Sequence, residues 1–267
     1  MEGDDMTNEF LDGLFSLRGK VAVVPGGYGG IGEAVCRGLA RAGAQVVVAG
    51  RNAERCHALA ETLKTEGYDA VGMPFNAEKV DDIRRMIDAA AAQWGRLDIL
   101  VNCVGLNREE KALTITEENF DKVITGNLKS ALFLSQAAAK HMIAGGRGGK
   151  QVHLGSVRTL LALRSRGYAA YCAAKGGLSI MCKQLAAEFA PDKINVNVVA
   201  PTFVRTEQVA HMLADAAFYN SLTARIPLGR IAEPDEVMHA VLFFVSPASD
   251  FITGQTLYLD GGITATQ

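Results

Sequence analysis

Apolar residues along this chain fall into seven short runs: Lys20 to Val24, Gln45 to Ala49, Val71 to Phe75, Leu97 to Val101, Gln151 to Leu154, Ile194 to Val199 and Gln255 to Leu259. Most are apolar without interruption and rich in β-branched residues, the pattern of strands covered on both faces. Between them, apolar positions recur at helical spacing in Gly32 to Ala42, Asn52 to Gly67, Asp81 to Trp94, Thr116 to Met142 and a segment starting near Tyr168. Such alternation predicts an α/β fold: one doubly wound, seven-stranded parallel sheet with helices on both faces. Residues 1–16 read as a polar, acidic N-terminal tail, and residues 17–267 as a single domain without an internal repeat or a dividing linker. The longest stretches without a clear element, Asn102 to Ile115 and Pro201 to Gly229, are expected to border a site, since long loops in compact domains tend to be functional.

Composition narrows the partners. Of 267 residues, 49% are hydrophobic and 21% charged, and the net charge is −2. That balance supports a buried core but no diffuse positive field for nucleic acid or an anionic membrane, so small molecules are the expected partners. Five cysteines, Cys36, Cys56, Cys103, Cys172 and Cys182, form no C-x-x-C pair and leave an odd thiol, which fits a reducing compartment and gives no support to a metal site. The first residues lack the basic start and apolar middle of a signal peptide, and no run is long enough to span a bilayer; cytoplasmic residence is expected.

The first strand runs into Pro25-Gly26-Gly27-Tyr28-Gly29-Gly30-Ile31-Gly32, a glycine-rich turn that opens a helix. Glycines there permit positive φ and close backbone approach, while free N–H groups at the helix start receive a pyrophosphate. A tight turn without a ligand would use similar glycines; the strand, turn and helix in order favour a dinucleotide, with Gly26, Gly30 and Gly32 as its contacts. The second strand ends in Ala49-Gly50-Arg51-Asn52, with no carboxylate for a ribose 2′-OH. Arg51 offers a guanidinium suited to a 2′-phosphate, so NADP(H) is expected in preference to NAD(H).

Tyr171 and Lys175 stand four residues apart on a helix, which sets phenol and ammonium on one face. Alone the spacing is a weak signal. Fifteen residues earlier, however, a strand ends at Ser156, placing a hydroxyl at the carboxyl edge of the sheet, where ligands bind. An unperturbed tyrosine, with a pKa of about 10, is too weak a base, and the Lys175 ammonium together with the positive charge of a nicotinamide is expected to favour phenolate and move it toward working pH.

Together these residues resemble the short-chain dehydrogenase/reductase family over about Leu17 to Gly262. Gly26, Gly30 and Gly32 match its glycine motif; Asn102-Cys103-Val104-Gly105 is similar to its N-N-A-G strand end; Asn127, Ser156, Tyr171 and Lys175 match its catalytic tetrad; and Pro201 to Thr206 resembles its nicotinamide-side loop. Ile226 to Arg230 and Thr253 to Gly262 are similar to its C-terminal motifs. The resemblance implies a Rossmann fold and hydride transfer between nicotinamide and a carbonyl or secondary alcohol. Tyr171 would be the acid/base, Ser156 would hold the substrate oxygen, Lys175 would hold the ribose and Asn127 a relay water. It further implies cofactor contacts at Ile31, Asn52, Asn76, Ala77, Asn102, Val104, Gly105, Pro201, Val204 and Thr206, and a homotetramer built through the Thr116 to Met142 helix, the Tyr171 helix and the last strand. The sequence departs from the family at Pro25, Asn76, Val104 and Thr202. Of these, Pro25 removes a hydroxyl and an N–H that help hold the turn.

Arg158, Arg164 and Arg166 follow Ser156, and Arg205 sits in the opposite loop; Arg158 and Arg205 are the expected substrate contacts. An anionic substrate such as a sugar acid would gain from a forked guanidinium, although the same arginines suit a 3-oxoacyl thioester or merely a solvated cluster. Residues 203–225 read as a lid over the substrate. A dinucleotide sensor without turnover is the alternative of another class.

Overall fold

A computed structural model describes residues 2–266. In chain order the elements are α1 (Glu2–Phe15), β1 (Val21–Pro25), α2 (Ile31–Arg41), β2 (Gln45–Gly50), α3 (Ala53–Thr65), β3 (Ala70–Pro74), α4 (Val80–Gln93), β4 (Ile99–Asn102), α5 (Glu117–Ile124), α6 (Ser130–Gly145), β5 (Gly149–Leu154), α7 (Ala169–Phe189), β6 (Ile194–Pro201), α8 (Glu207–Leu213), α9 (Ala216–Thr223), α10 (Pro234–Val245) and β7 (Thr256–Leu259). The seven strands are parallel in the order β3-β2-β1-β4-β5-β6-β7. The expected seven-stranded, doubly wound Rossmann fold is therefore the fold observed. Each expected strand lies within two residues of an observed one at both ends.

Two-sided burial explains the uninterrupted apolar runs. In β1, Ala22 and Val24 face a core shared with α2, α3 and α10, while Val21 and Val23 face the opposite core with α4, α6 and α7. Glycines end α2 and α3 as expected: Gly43 and Gly67 have φ of 97° and 90°. The chain builds β1, β2 and β3 outward in one direction and then returns to place β4 on the other side of β1, so a crevice opens at the carboxyl ends of β1 and β4.

Three helical features differ from expectation. The stretch Thr116 to Met142 is two helices, α5 and α6, joined through a π-helical turn at Thr125–Lys129. The loop from Pro201 to Gly229 carries the short helices α8 and α9. Helix α10 was not foreseen; Pro234 occupies its first turn, and a reciprocal capping box between Glu233 and Glu236 starts it.

Between the sheet and α6 lies a buried polar cluster of Asn102, Ser135, Gln151 and His153. Burial first, and the Lys175 ammonium second, depress the pKa of His153 to about 3. Unfolded, the same imidazole titrates near pH 6.5. Between these values the unfolded chain binds a proton that the folded chain does not, so stability is full above pH 6.5 and falls as pH drops toward 3. The expected slope is roughly 1.4 kcal/mol per pH unit. Urea unfolding of the wild type and His153→Asn at pH 7, 5.5 and 4 checks this: the stability difference between them should shift against the wild type as pH falls, and a constant difference refutes it.

Candidate active site

The crevice at the β1/β4 rim holds two adjoining cavities. The first, of about 610 Å³, is lined by Gly26, Gly30, Ile31, Gly32, Arg51, Asn76, Ala77, Val104, Gly105 and Thr206 among the expected cofactor residues. Close backbone packing makes glycine necessary at its floor. A Cβ on Gly32 would collide with the carbonyl oxygen of Gly26, and one on Gly26 would lie 2.8 Å from the carbonyl carbon of Cys103. Gly26 and Gly30 also have φ of 79° and 45°, which side chains disfavour. The turn does not use the donors that Pro25 lacks. Gly26 and Gly27 donate to the carbonyl of Ala49 at 2.8 and 3.1 Å, and Cys103 N–H donates to the carbonyl of Pro25 at 2.9 Å.

Of the other expected cofactor contacts, Tyr171, Pro201 and Val204 line the second cavity, and Asn52, Asn102 and Lys175 line neither. Asn52 caps α3, its side chain accepting from Arg55 N–H at 3.0 Å. Asn102 is buried behind the wall, where its Oδ1 accepts from Val104 N–H at 3.0 Å. Conversely, Tyr28 and Arg55 line the cavity without having been singled out. The Arg55 guanidinium lies 5.0 Å from the Tyr28 ring centroid and donates to the Tyr28 carbonyl at 3.2 Å, which brings a second cation to the Arg51 end. Glu207, at the start of α8, approaches Arg55 at 3.9 Å.

The second cavity, of about 650 Å³, contains Ser156, Tyr171, Arg158, Pro201, Val204 and Thr206. Ser156 follows β5 and its Oγ accepts from Arg158 N–H at 3.2 Å. Tyr171 stands in the first turn of α7, edge-on to Tyr168. One turn on, the buried ammonium of Lys175 donates to the carbonyl of Leu154 at 2.7 Å and sits 5.7 Å from the Tyr171 ring centroid. Asn127 lies in the π-helical turn; its Nδ2 donates to Leu106 and Val123 carbonyls at 2.7 and 2.8 Å. A Cβ added to Gly105 would meet Asn127 Oδ1 at 3.0 Å and Lys175 Nζ at 3.5 Å, so the cofactor-side wall runs directly past both groups. Thus the structure gathers Asn127, Ser156, Tyr171 and Lys175 at one rim.

Of the two charges expected to act on Tyr171, the protein alone supplies only that of Lys175. The Tyr171 pKa is not lowered in this state: burial pushes it up to about 12, against the opposing pull of the Ser156 hydroxyl. Burial likewise brings Lys175 down to about 8. Loss of hydration outweighs the attraction that spacing alone suggested.

The arginines differ sharply. Arg166 is paired with Glu109, and Arg205 with Glu233 at 2.9 Å. Arg205 is exposed and does not line the substrate-side cavity, contrary to its expected role, because Glu233 draws it outward. Arg158 is buried at 6% exposure; its Nη1 donates to the carbonyls of Leu161 and Ala162 at 3.0 and 2.8 Å. Among the described residues no carboxylate pairs with it within 4.0 Å.

Among the described residues no group of three or more His, Cys, Asp or Glu is placed to hold a metal ion, and no helix is long and apolar enough to cross a membrane.

A family model described as enoyl-(acyl carrier protein) reductase matches residues 26–264. A 2-dehydro-3-deoxy-D-gluconate 5-dehydrogenase from Escherichia coli is 38% identical over 249 residues, covering 93% of this chain and 96% of that protein. A tropinone reductase homologue from Arabidopsis thaliana is 39% identical over 254 residues, covering 95% of each chain. Among solved structures, a gluconate 5-dehydrogenase from Burkholderia cenocepacia in complex with NADP and tartrate superposes with a TM-score of 0.92 at 36% identity, over 96% of this chain and 100% of that one.

Proposed function

The chain belongs to the short-chain dehydrogenase/reductase family, and on that premise we propose that it is an NADP(H)-dependent oxidoreductase interconverting a carbonyl and a secondary alcohol on a sugar acid or related anionic keto/hydroxy substrate. The substrate-side observation that carries this reading is Arg158, a buried cation without a carboxylate partner among the described residues, on the wall that holds Ser156 and Tyr171. Burying an unpaired charge is costly, and a substrate carboxylate would offset that cost. The gluconate-type relatives and the relative crystallised with NADP and tartrate support the same class.

The first cavity suits the cofactor. Its glycine floor admits close backbone approach, the start of α2 supplies free N–H groups, and Arg51 with Arg55 offers two cations for a 2′-phosphate. Bound there, the nicotinamide would supply or accept the hydride. The chain's own groups handle the proton. Tyr171 gives its phenolic proton to the substrate oxygen in reduction and takes it back in oxidation. Ser156 Oγ donates a hydrogen bond to that same oxygen. The Lys175 ammonium stabilises phenolate once the proton has left and holds the ribose. Asn127 has both amide hydrogens committed and its Oδ1 accepts from Leu106 N–H at 3.4 Å, so the second lone pair of Oδ1 is the position that would accept from a relay water. Exposed apolar side chains Leu132 on α6, Ile180 on α7 and Leu257 on β7 support the homotetramer expected through these elements.

A spectrophotometric panel of NADPH and NADH against keto acids, sugars, acyl thioesters and cyclic ketones tests the assignment. NADPH oxidation with a keto acid is expected; cofactor binding without turnover of any compound would favour a sensor, and an NADH preference would sink the Arg51 argument. Tyr171→Phe should lower kcat by about 10² to 10⁴ while sparing NADP⁺ affinity, since a positioned acid contributes about that factor. Arg158→Met should raise KM for the keto acid about 10- to 100-fold, the size of one charged hydrogen bond, and leave KM for a neutral ketone within about twofold. Equal effects on both substrates would remove the carboxylate from Arg158.

A further inference from the structure

His153 has no part in the chemistry described so far, yet it lies fully buried between the cofactor wall and α6. Parallel register sets Asn102 of β4 opposite His153 of β5. His153 Nδ1 is 3.2 Å from Asn102 Nδ2, and its Nε2 is 2.9 Å from Ser135 Oγ. Ser135 Oγ is also 2.6 Å from Gln151 Oε1, while Gln151 Nε2 donates to the Ser135 carbonyl at 3.2 Å.

Counting protons leaves one consistent arrangement. Gln151 must present Nε2 to the Ser135 carbonyl, since the opposite orientation would set two acceptors face to face; its Oε1 therefore takes the single Ser135 hydroxyl proton. Ser135 Oγ can then only accept from His153, so the imidazole carries its proton on Nε2. Bare Nδ1 accepts from Asn102 Nδ2, which turns Asn102 Oδ1 toward Val104 N–H. Each hydrogen bond fixes the direction of the next. A second proton on the ring would drive an N–H against the Asn102 amide hydrogens and set a cation near Lys175. The run ends on Val104 and Gly105, the segment that walls the cofactor cavity and passes Asn127 and Lys175.

We propose that His153, as the neutral Nε2–H tautomer, is a positioning residue for the cofactor: through Asn102 it sets the Val104–Gly105 wall, and Ser135 and Gln151 fix its orientation from behind. This rests on the reading that the cavity takes a dinucleotide.

Two near-isosteric variants separate positioning from packing. His153→Asn puts an amide oxygen where Nδ1 stands and keeps the bond to Asn102. His153→Gln puts an amide nitrogen where Nε2 stands and keeps only the bond to Ser135. Calorimetric Kd for NADP⁺, KM for NADPH and for the carbonyl substrate, and Tm are measured on each folded protein. His153→Asn is expected within about threefold of wild-type Kd, whereas His153→Gln raises Kd and KM for the cofactor about tenfold and leaves KM for the carbonyl substrate unchanged. Similar Kd values for both variants, whatever their Tm, overturn the proposal. Should His153→Gln fail to fold, Ser135→Ala replaces it: a threefold or greater rise in cofactor Kd is expected, and wild-type Kd overturns it. A wild type that binds neither NADP⁺ nor NADH instead overturns the dinucleotide reading, and this inference with it.

Discussion

The bond from the Lys175 ammonium to the Leu154 carbonyl is the constraint on which the site depends. Leu154 is the last residue of β5, so a 2.7 Å bond to it pins α7 against the carboxyl edge of the sheet. The phenol of Tyr171, one helical turn earlier, is thereby held beside Ser156, two residues beyond the end of β5. The same ammonium lies next to the Gly105 wall and, across it, Asn127. One buried cation thus joins strand, catalytic helix and cofactor wall. Such an arrangement is expensive, because burial disfavours the charged form and brings its pKa to about 8. A leucine there would be easier to bury but would leave the helix without its polar anchor.

Much of this was legible before any coordinates. Strands covered on both faces leave an unbroken apolar run, so the seven strands, the sheet class and the glycine turn could be read from short windows. Helix α10 escaped because its cap is a glutamate pair rather than the usual Ser, Thr, Asp or Asn, and its second half, Val241 to Val245, is apolar without a helical period. The π-helical turn at Thr125–Lys129 was hidden because one extra residue inserted in a helix barely changes its apolar period. At the site, local motifs located the residues but not their partners. Arg205 looked free in sequence, yet its partner Glu233 lies 28 positions away. Arg55 gains its place from the Tyr28 ring, a contact no local window contains. Asn102 and Asn52 sit beside cofactor-lining residues, but their side chains turn toward backbone groups that need them.

Two exposed or half-buried arginines near the substrate side, Arg166 and Arg205, are neutralised from within the chain, and the buried Arg158 is not. Arg166 and Arg205 each hold a glutamate, whereas Arg158 Nη1 donates to two neutral carbonyls. Carbonyls satisfy hydrogen bonding without cancelling charge. Burial consequently lowers the Arg158 pKa, with Arg225 adding to the effect. Ion pairs screened by water contribute little to binding, and Arg158 is the buried cation of the cavity wall.

Burial also decides the resting state of the proton pair. It raises Tyr171 to about 12 and lowers Lys175 to about 8, moving both toward their neutral forms. A phenol that weakly acidic keeps its proton through the neutral range, as reduction of a carbonyl requires. Oxidation requires the reverse, a phenolate, and nothing in the protein alone supplies enough positive charge to produce one. The neutral His153 behind the wall belongs to the same balance. A cation there would repel Lys175 and push it further toward the uncharged amine. Keeping that inner layer neutral therefore preserves the one ammonium able to stabilise the phenolate, and leaves any further activation of Tyr171 to charge that arrives with the ligand.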